Sequence, residues 1–222
     1  MPLKHKNTKK SHTNNFVGFR DLVFLWQKSI FEMVCNKKLI LFTALLALSM
    51  TAGAQKRKVD TIPWHDGINL TWDDFKGTPD EGMSYFAYTD YMITLNCSFN
   101  QNTLNVTIGS YFDRLHSWVK KGKEKDSLLL HEKAHFAIAE IYARKERKTL
   151  TDTVINQSNV SAVLNFINTK AMQDCHNREV LYDDETNHSI ITAKQIEWLQ
   201  EVYKELDELK AYSNTVVQKT IQ

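Results

Sequence analysis

Leu128, Leu129 and Leu130 open an apolar pattern that Phe136, Ile138, Ile141 and Tyr142 continue at helical spacing, with no proline or glycine among them. Asp126 and Ser127 are good N-cap types, and Arg144, Lys145, Arg147 and Lys148 place cations where the negative end of a helix dipole favours them. The pattern predicts a helix over about 127–149. A second helix is expected over about 159–174, on Val160, Val163, Leu164, Phe166, Ile167 and Met172. A third is expected over about 189–212, on Ile191, Ile196, Leu199, Val202, Tyr203, Leu206 and Leu209. Upstream the period changes. Tyr85 to Phe99 and Leu104 to Phe112 are rich in β-branched and aromatic residues and flank Asn100-Gln101-Asn102, which predicts two hairpin-paired strands. Trp64 and the segment Leu70 to Gly77 predict a short strand ending in a turn at Lys76-Gly77-Thr78-Pro79-Asp80. The expected architecture is α+β, a small antiparallel sheet backed by about three helices. Trp72, Trp118 and Trp198 are expected in its core.

The first 54 residues read differently. Lys37-Lys38, the apolar run Leu39 to Leu48 and Ala52-Gly53-Ala54 have the order of a signal peptide, expected over 37–54, with Gln55 as the first mature residue. The apolar run is shorter than the roughly 20 residues of a membrane span, and no cysteine stands at the cleavage point. Residues 1–36 are expected to be a gene-model extension or a long n-region, with Met33 as the natural start; residues 55–222 form a single domain. The expected location is periplasmic or extracellular in a bacterium. Of 28 Lys+Arg and 26 Asp+Glu, the first 54 residues hold eight and two, leaving 20 and 24 and a net charge of −4. A mildly acidic chain with dispersed charge argues against a nucleic-acid partner. Cys97 and Cys175 remain after Cys35 is removed, as a disulfide or as two free thiols.

The chemistry sits in His131-Glu132-Lys133-Ala134-His135. Histidines four apart leave one face of a helix and can chelate zinc, Zn2+, while the glutamate between them reaches a water on the metal. This gives a zincin-like active-site helix: His131 and His135 hold the ion and Glu132 is the general base. A catalytic zinc takes a third protein ligand. Glu140 is turned away on the same helix. Tyr182 to His188 reads as a polar loop opening the last helix, and His188 is the expected third ligand, with Asp183, Asp184 and Glu185 as competing donors. His176 is a weaker rival beside Arg178, and His65 and His116 lack ligand-spaced companions. Tyr182, Asn187 and Arg144 are candidate stabilisers of the transition state.

With these residues assembled, the chain resembles the bacterial predicted secreted zinc-dependent proteases, a domain of unknown function carrying HExxH. The resemblance runs through Leu70-Thr-Trp-Asp-Asp-Phe-Lys-Gly77, Ala87-Tyr-Thr89, Tyr111-Phe112 with Ser117-Trp118, Leu129 to Phe136 with Glu140 to Arg144, and Tyr182-Asp183 to His188 with Gln195 and Trp198. It implies a compact metallopeptidase-like domain with His131, His135 and His188 on zinc and Glu132 as base. The family pattern has an acid after His-Phe, where this chain has Ala137. The expected function is an exported zinc metallopeptidase acting on peptide or protein, with no membrane span after signal cleavage. The alternatives are a zinc amidohydrolase acting on cell-wall peptides and a non-catalytic envelope binding module with a structural metal.

Overall fold

The computed structural model describes residues 59–221; the expected signal peptide, its cleavage point and the 1–36 extension lie outside the described residues. The fold is α+β. Strands β3 (Tyr91–Asn100) and β4 (Thr103–Asp113) form the expected antiparallel hairpin, in register from Tyr91↔Phe112 to Asn100↔Thr103. The far edge of β4 is shared by two short strands lying end to end. β1 (Thr61–Pro63) pairs with its C-terminal end, and β6 (Val216–Thr220) with its N-terminal half. A separate two-stranded ribbon joins β2 (Ala87–Tyr88) to β5 (Trp118–Val119). Leu104, Val106, Ile108 and Phe112 alternate along β4 and are fully buried, so one face of the sheet is core.

Three helices back the sheet: α1 (Asp126–Asp152) lies on its buried face, with α2 (Val160–Thr186) and α3 (Thr192–Glu208) behind it. Helix α1 lies in the middle, against β4 on one side and α2 and α3 on the other. No helix among the described residues is long and apolar enough to cross a membrane.

Three expectations need correcting. Helix α2 does not stop near 174 but runs twelve residues further, to Thr186. Its buried positions, Val160, Leu164, Ile167, Ala171, Cys175, Glu179, Tyr182 and Thr186, keep one helical phase throughout. The polar stretch beginning at Tyr182 is therefore mostly the last turn of a helix and not a loop. The segment Leu70 to Gly77 forms no strand; it makes a 3-10 turn over Trp72–Asp74, because the Asp74 carboxylate accepts the Thr71 N–H at 2.9 Å. The third pattern breaks into α3 and a 3-10 turn, Lys210–Tyr212, which frees the chain to return as β6. Cys97 and Cys175 are free thiols.

The 3-10 turn fastens the β2–β5 ribbon to the body. Phe75 packs edge-on against Phe112, with centroids 5.1 Å apart. Gly77 donates its N–H to the Ser117 carbonyl at 2.7 Å. A Cβ at Gly77 would lie 2.8 Å from that oxygen, so only glycine allows the approach.

A charged knot anchors the C-terminal half of α1. Glu140 Oε1 accepts from Arg144 Nε at 2.9 Å and Arg147 Nη2 at 2.6 Å, and its Oε2 accepts from Ser110 Oγ at 2.7 Å. The guanidiniums reach onward to the Leu206 and Ser213 carbonyls. Every charge in the knot has a partner. Glu146, between Arg144 and Arg147 in the chain, does not: it is 1 % exposed, and neither carboxylate oxygen has a hydrogen-bond partner among the described residues. It lines a groove of about 710 Å³ between α1 and α2.

Burial pushes the Glu146 carboxyl up to about 8, against the opposing pull of Arg147. A raised carboxyl favours the fold below its unfolded value near 4.5, and that contribution is lost as pH rises towards 8. Stability should therefore fall across this window by up to about 1.4 kcal/mol per pH unit. Glu146→Gln should flatten the fall in urea titrations between pH 5 and 9; equal slopes for both proteins would contradict it.

Candidate metal centre

Two helices and the turn after the second converge on one carboxylate oxygen. His131 and His135 leave the face of α1 that packs on α2, one turn apart, and their Nε2 atoms are 3.2 Å from each other. Asp183 comes from the last turn of α2. Its Oδ1 lies 3.1 Å from His131 Nε2, 3.1 Å from His135 Nε2 and 3.4 Å from His188 Nδ1. Metal–donor bonds of about 2.0–2.1 Å in a tetrahedral shell put donor atoms about 3.3 Å apart. The three donors His131, His135 and Asp183 lie 3.1–3.2 Å apart, close to that spacing, and two imidazoles with a carboxylate make a donor set that zinc accepts. Among the described residues, His131, Asp183 and His188 also form a set with donor atoms within 4.8 Å of one another.

The histidines are set by what surrounds them. His131 is 1 % exposed, and its ring stacks on Tyr182 at 4.5 Å and 21°. Tyr182 in turn packs against Trp198 at 5.3 Å. The Nδ1 of His135 faces the buried carboxylate of Glu179, with Oε1 at 3.5 Å, and the other oxygen of Glu179 accepts from the Tyr91 hydroxyl at 2.6 Å. A carboxylate behind a histidine fixes the ring and raises its basicity as a ligand. Glu179 was invisible in the sequence because α2 was expected to end before it. Once the helix continues, Glu179 and Asp183, four apart, share its inner face.

Glu132 faces a cavity of about 90 Å³ that it shares with His131, His135, Asp183 and His188 and that Tyr85 to Thr89 close from the other side. The Thr89 hydroxyl is 2.8 Å from Glu132 Oε2, within donating distance. Thr89 directly follows β2, so the ribbon that Gly77 braces also holds the carboxylate next to the histidines.

Other expected residues lie elsewhere or act differently. Arg144 is nine residues beyond His135, about 13 Å along the helix, and its guanidinium is held by Glu140, Asp66 and the Leu206 carbonyl. It is not a stabiliser at this site. Tyr182 is fully buried, with its hydroxyl 3.5 Å from the His131 carbonyl, so it supports a ligand from behind. Asn187 is exposed and caps α2 in the left-handed conformation, φ 47°, its backbone N–H bonding the Asp183 and Asp184 carbonyls. Its role is to turn the chain. Asp184 is exposed, and Glu185 accepts from Trp198 Nε1 at 2.9 Å; neither joins the donors. His176 is exposed on α2. His116, though unaccompanied in sequence, has Nδ1 2.9 Å from Asp113 Oδ2, but Asp113 also caps its own turn through the N–H groups of Leu115 and His116. Ala137 is fully buried.

Protonation follows from this geometry. Burial pushes His131 down to about 4, which the Asp183 carboxylate only partly opposes. Burial also pushes His135 down, but Asp183 and Glu179 outweigh it and hold it up at about 10. Burial raises Asp183, and the imidazoles overcome this and hold it well below the usual carboxylate range. These shifts favour a neutral imidazole at His131, a protonated one at His135 and an ionised carboxylate at Asp183.

Comparison with protein-family models, with curated proteins and with solved structures gave no match. The residues themselves therefore carry the functional reading.

A metal must displace the proton on His135, so binding should release about one proton near pH 7, and affinity should rise about tenfold per pH unit until His135 titrates near 10. Calorimetry of zinc binding in buffers of different ionisation enthalpy should give a slope near one; zero slope would refute it. Glu179→Gln should lower zinc affinity about 10- to 100-fold by weakening the support of His135. Competition with a chromophoric chelator measures this, and unchanged affinity would remove Glu179 from the centre.

Proposed function

We propose that this chain is an exported zinc-dependent peptidase. His131, His135 and Asp183 hold the ion and Glu132 is the general base. The observation that carries the reading is the spacing of three donors at 3.1–3.2 Å around a cavity that Glu132 also lines. The resemblance to secreted zinc-dependent proteases and the leader over 37–54 point to the same class and to export.

When bound, zinc supplies a Lewis acid and an acidic water. The rest falls to the chain. Glu132 takes the proton from the attacking water and hands it to the leaving amine, so that the amide C–N bond breaks as the carboxylic product forms. Thr89 aims the Glu132 carboxylate for both transfers. Glu179 and Tyr182 hold the rings of His135 and His131 so that the donors need no rearrangement to receive the ion. Tyr85 to Thr89 form the wall of the cavity that faces the histidines, the surface against which an extended peptide or protein substrate would lie.

His188, a fourth donor beside the other three, favours a second reading in which the metal is closed and structural. Glu132 separates the two. Glu132→Gln should keep one zinc per chain and lose hydrolysis of casein-like proteins or muropeptides by at least about 100-fold; which substrate is cut separates peptidase from cell-wall amidohydrolase. His131→Ala should lose the metal. Full activity in Glu132→Gln, or full zinc occupancy in His131→Ala by elemental analysis, would overturn the proposal.

A further inference from the structure

The centre holds one donor more than a hydrolytic metal needs, and the fourth is unlike the rest. Resting on the zinc-peptidase reading, we infer that His188 is a displaceable ligand that closes the centre in the resting protein and leaves when substrate enters.

Three observations single it out. The first is position: His188 Nδ1 stands 3.4 Å from Asp183 Oδ1, near the roughly 3.3 Å that separates neighbouring donors in a tetrahedral shell. It is also within 4.8 Å of the His131 donor, so the ring needs only a short advance to bind.

The second is exposure. The side chains of His131, His135 and Asp183 are 2 %, 8 % and 30 % exposed, whereas that of His188 is 41 % exposed. The two buried imidazoles cannot leave without unpacking α1 from α2, and Asp183 is held in the last turn of α2 between them; His188, past the end of the helix, can swing into water. Its ring packs on Tyr85, 5.5 Å between centroids, and Tyr85 is itself a wall of the cavity. An incoming substrate would therefore meet His188 and Tyr85 together.

The third is the backbone. Asn187, His188 and Ser189 have φ of 47°, 49° and 75°, three successive non-glycine residues in the left-handed region. Such residues are uncommon singly and carry a conformational cost that persists only where the surroundings demand it. Here the run turns the chain sharply after Thr186 and carries the imidazole back over Asp183, the residue five positions before it. Asp183 is fixed in the regular helix, whereas His188 stands on a turn outside it, so its imidazole can leave while α2 stays intact.

Zinc K-edge X-ray absorption, which counts coordinated imidazoles, tests this on the full-length protein. Uptake of one zinc per chain is measured first; no uptake refutes the zinc-peptidase reading itself. With zinc bound, the resting wild type should show three imidazoles, falling to two when acetohydroxamic acid, a small zinc chelator, is added. His188→Ala should hold one zinc with two imidazoles in both states. It should also bind acetohydroxamic acid more tightly than wild type, because no resting ligand competes. Two imidazoles in resting wild type, three after acetohydroxamic acid, or loss of zinc from His188→Ala would each overturn the inference while leaving the metal reading intact.

Discussion

A helix buried on nearly every side is destabilised by each polar group it leaves unpaired, and α1 buries seven polar side chains: His131, Glu132, His135, Glu140, Arg144, Arg147 and Glu146, the last without a hydrogen bond among the described residues. This constraint organises the molecule. The C-terminal half answers it with the Glu140–Arg144–Arg147 knot, which ties the helix to β4 through Ser110, to α3 through the Leu206 carbonyl and to the chain beyond α3 through the Ser213 carbonyl. His135 and Glu140 are five residues apart, about 140° around the axis. Fixing Glu140 against the sheet therefore fixes the rotation that turns the histidines towards α2. The knot is far from the donors along the helix, yet it sets where they point.

The N-terminal half solves the same problem with a different chemistry. Two imidazoles and a carboxylate of α1 are met by Asp183 and Glu179 from α2 and by Thr89 from beside the ribbon. Stacking does the rest, through the series Trp198, Tyr182 and His131. Removing one member of a buried, mutually satisfied group leaves the others exposed to the full cost of burial. Support residues such as Glu179 and Tyr182 thus matter to the centre although neither lines the cavity.

Sequence periodicity was enough for the β3–β4 hairpin, for α1 and for the pairing of His131 with His135, because each depends on residues close in the chain. It failed where a buried phase is written in polar letters. Helix α2 looked finished at Asp174 because Cys175, Glu179 and Thr186 continue its inner face without an aliphatic residue. That single misreading hid Glu179 and placed Asp183 in a loop, where it was only one of several competing donors. Arg144 was misassigned for the opposite reason: proximity to the motif in sequence says nothing about the 1.5 Å rise per residue that separates them along the axis. β6 carries too few apolar residues to announce itself, and its place depends on pairing with a strand more than a hundred residues earlier.

The donor atoms are contributed by segments about fifty positions apart, one on each of two packed rods. No linear stretch of the polypeptide holds more than two of the three closest donors, so an unfolded chain would have little with which to grip an ion firmly. Loading must wait for the rods to meet. The capacity to hold an ion is therefore tied to folding itself: the same packing of the two rods that buries the apolar core also assembles the donor set.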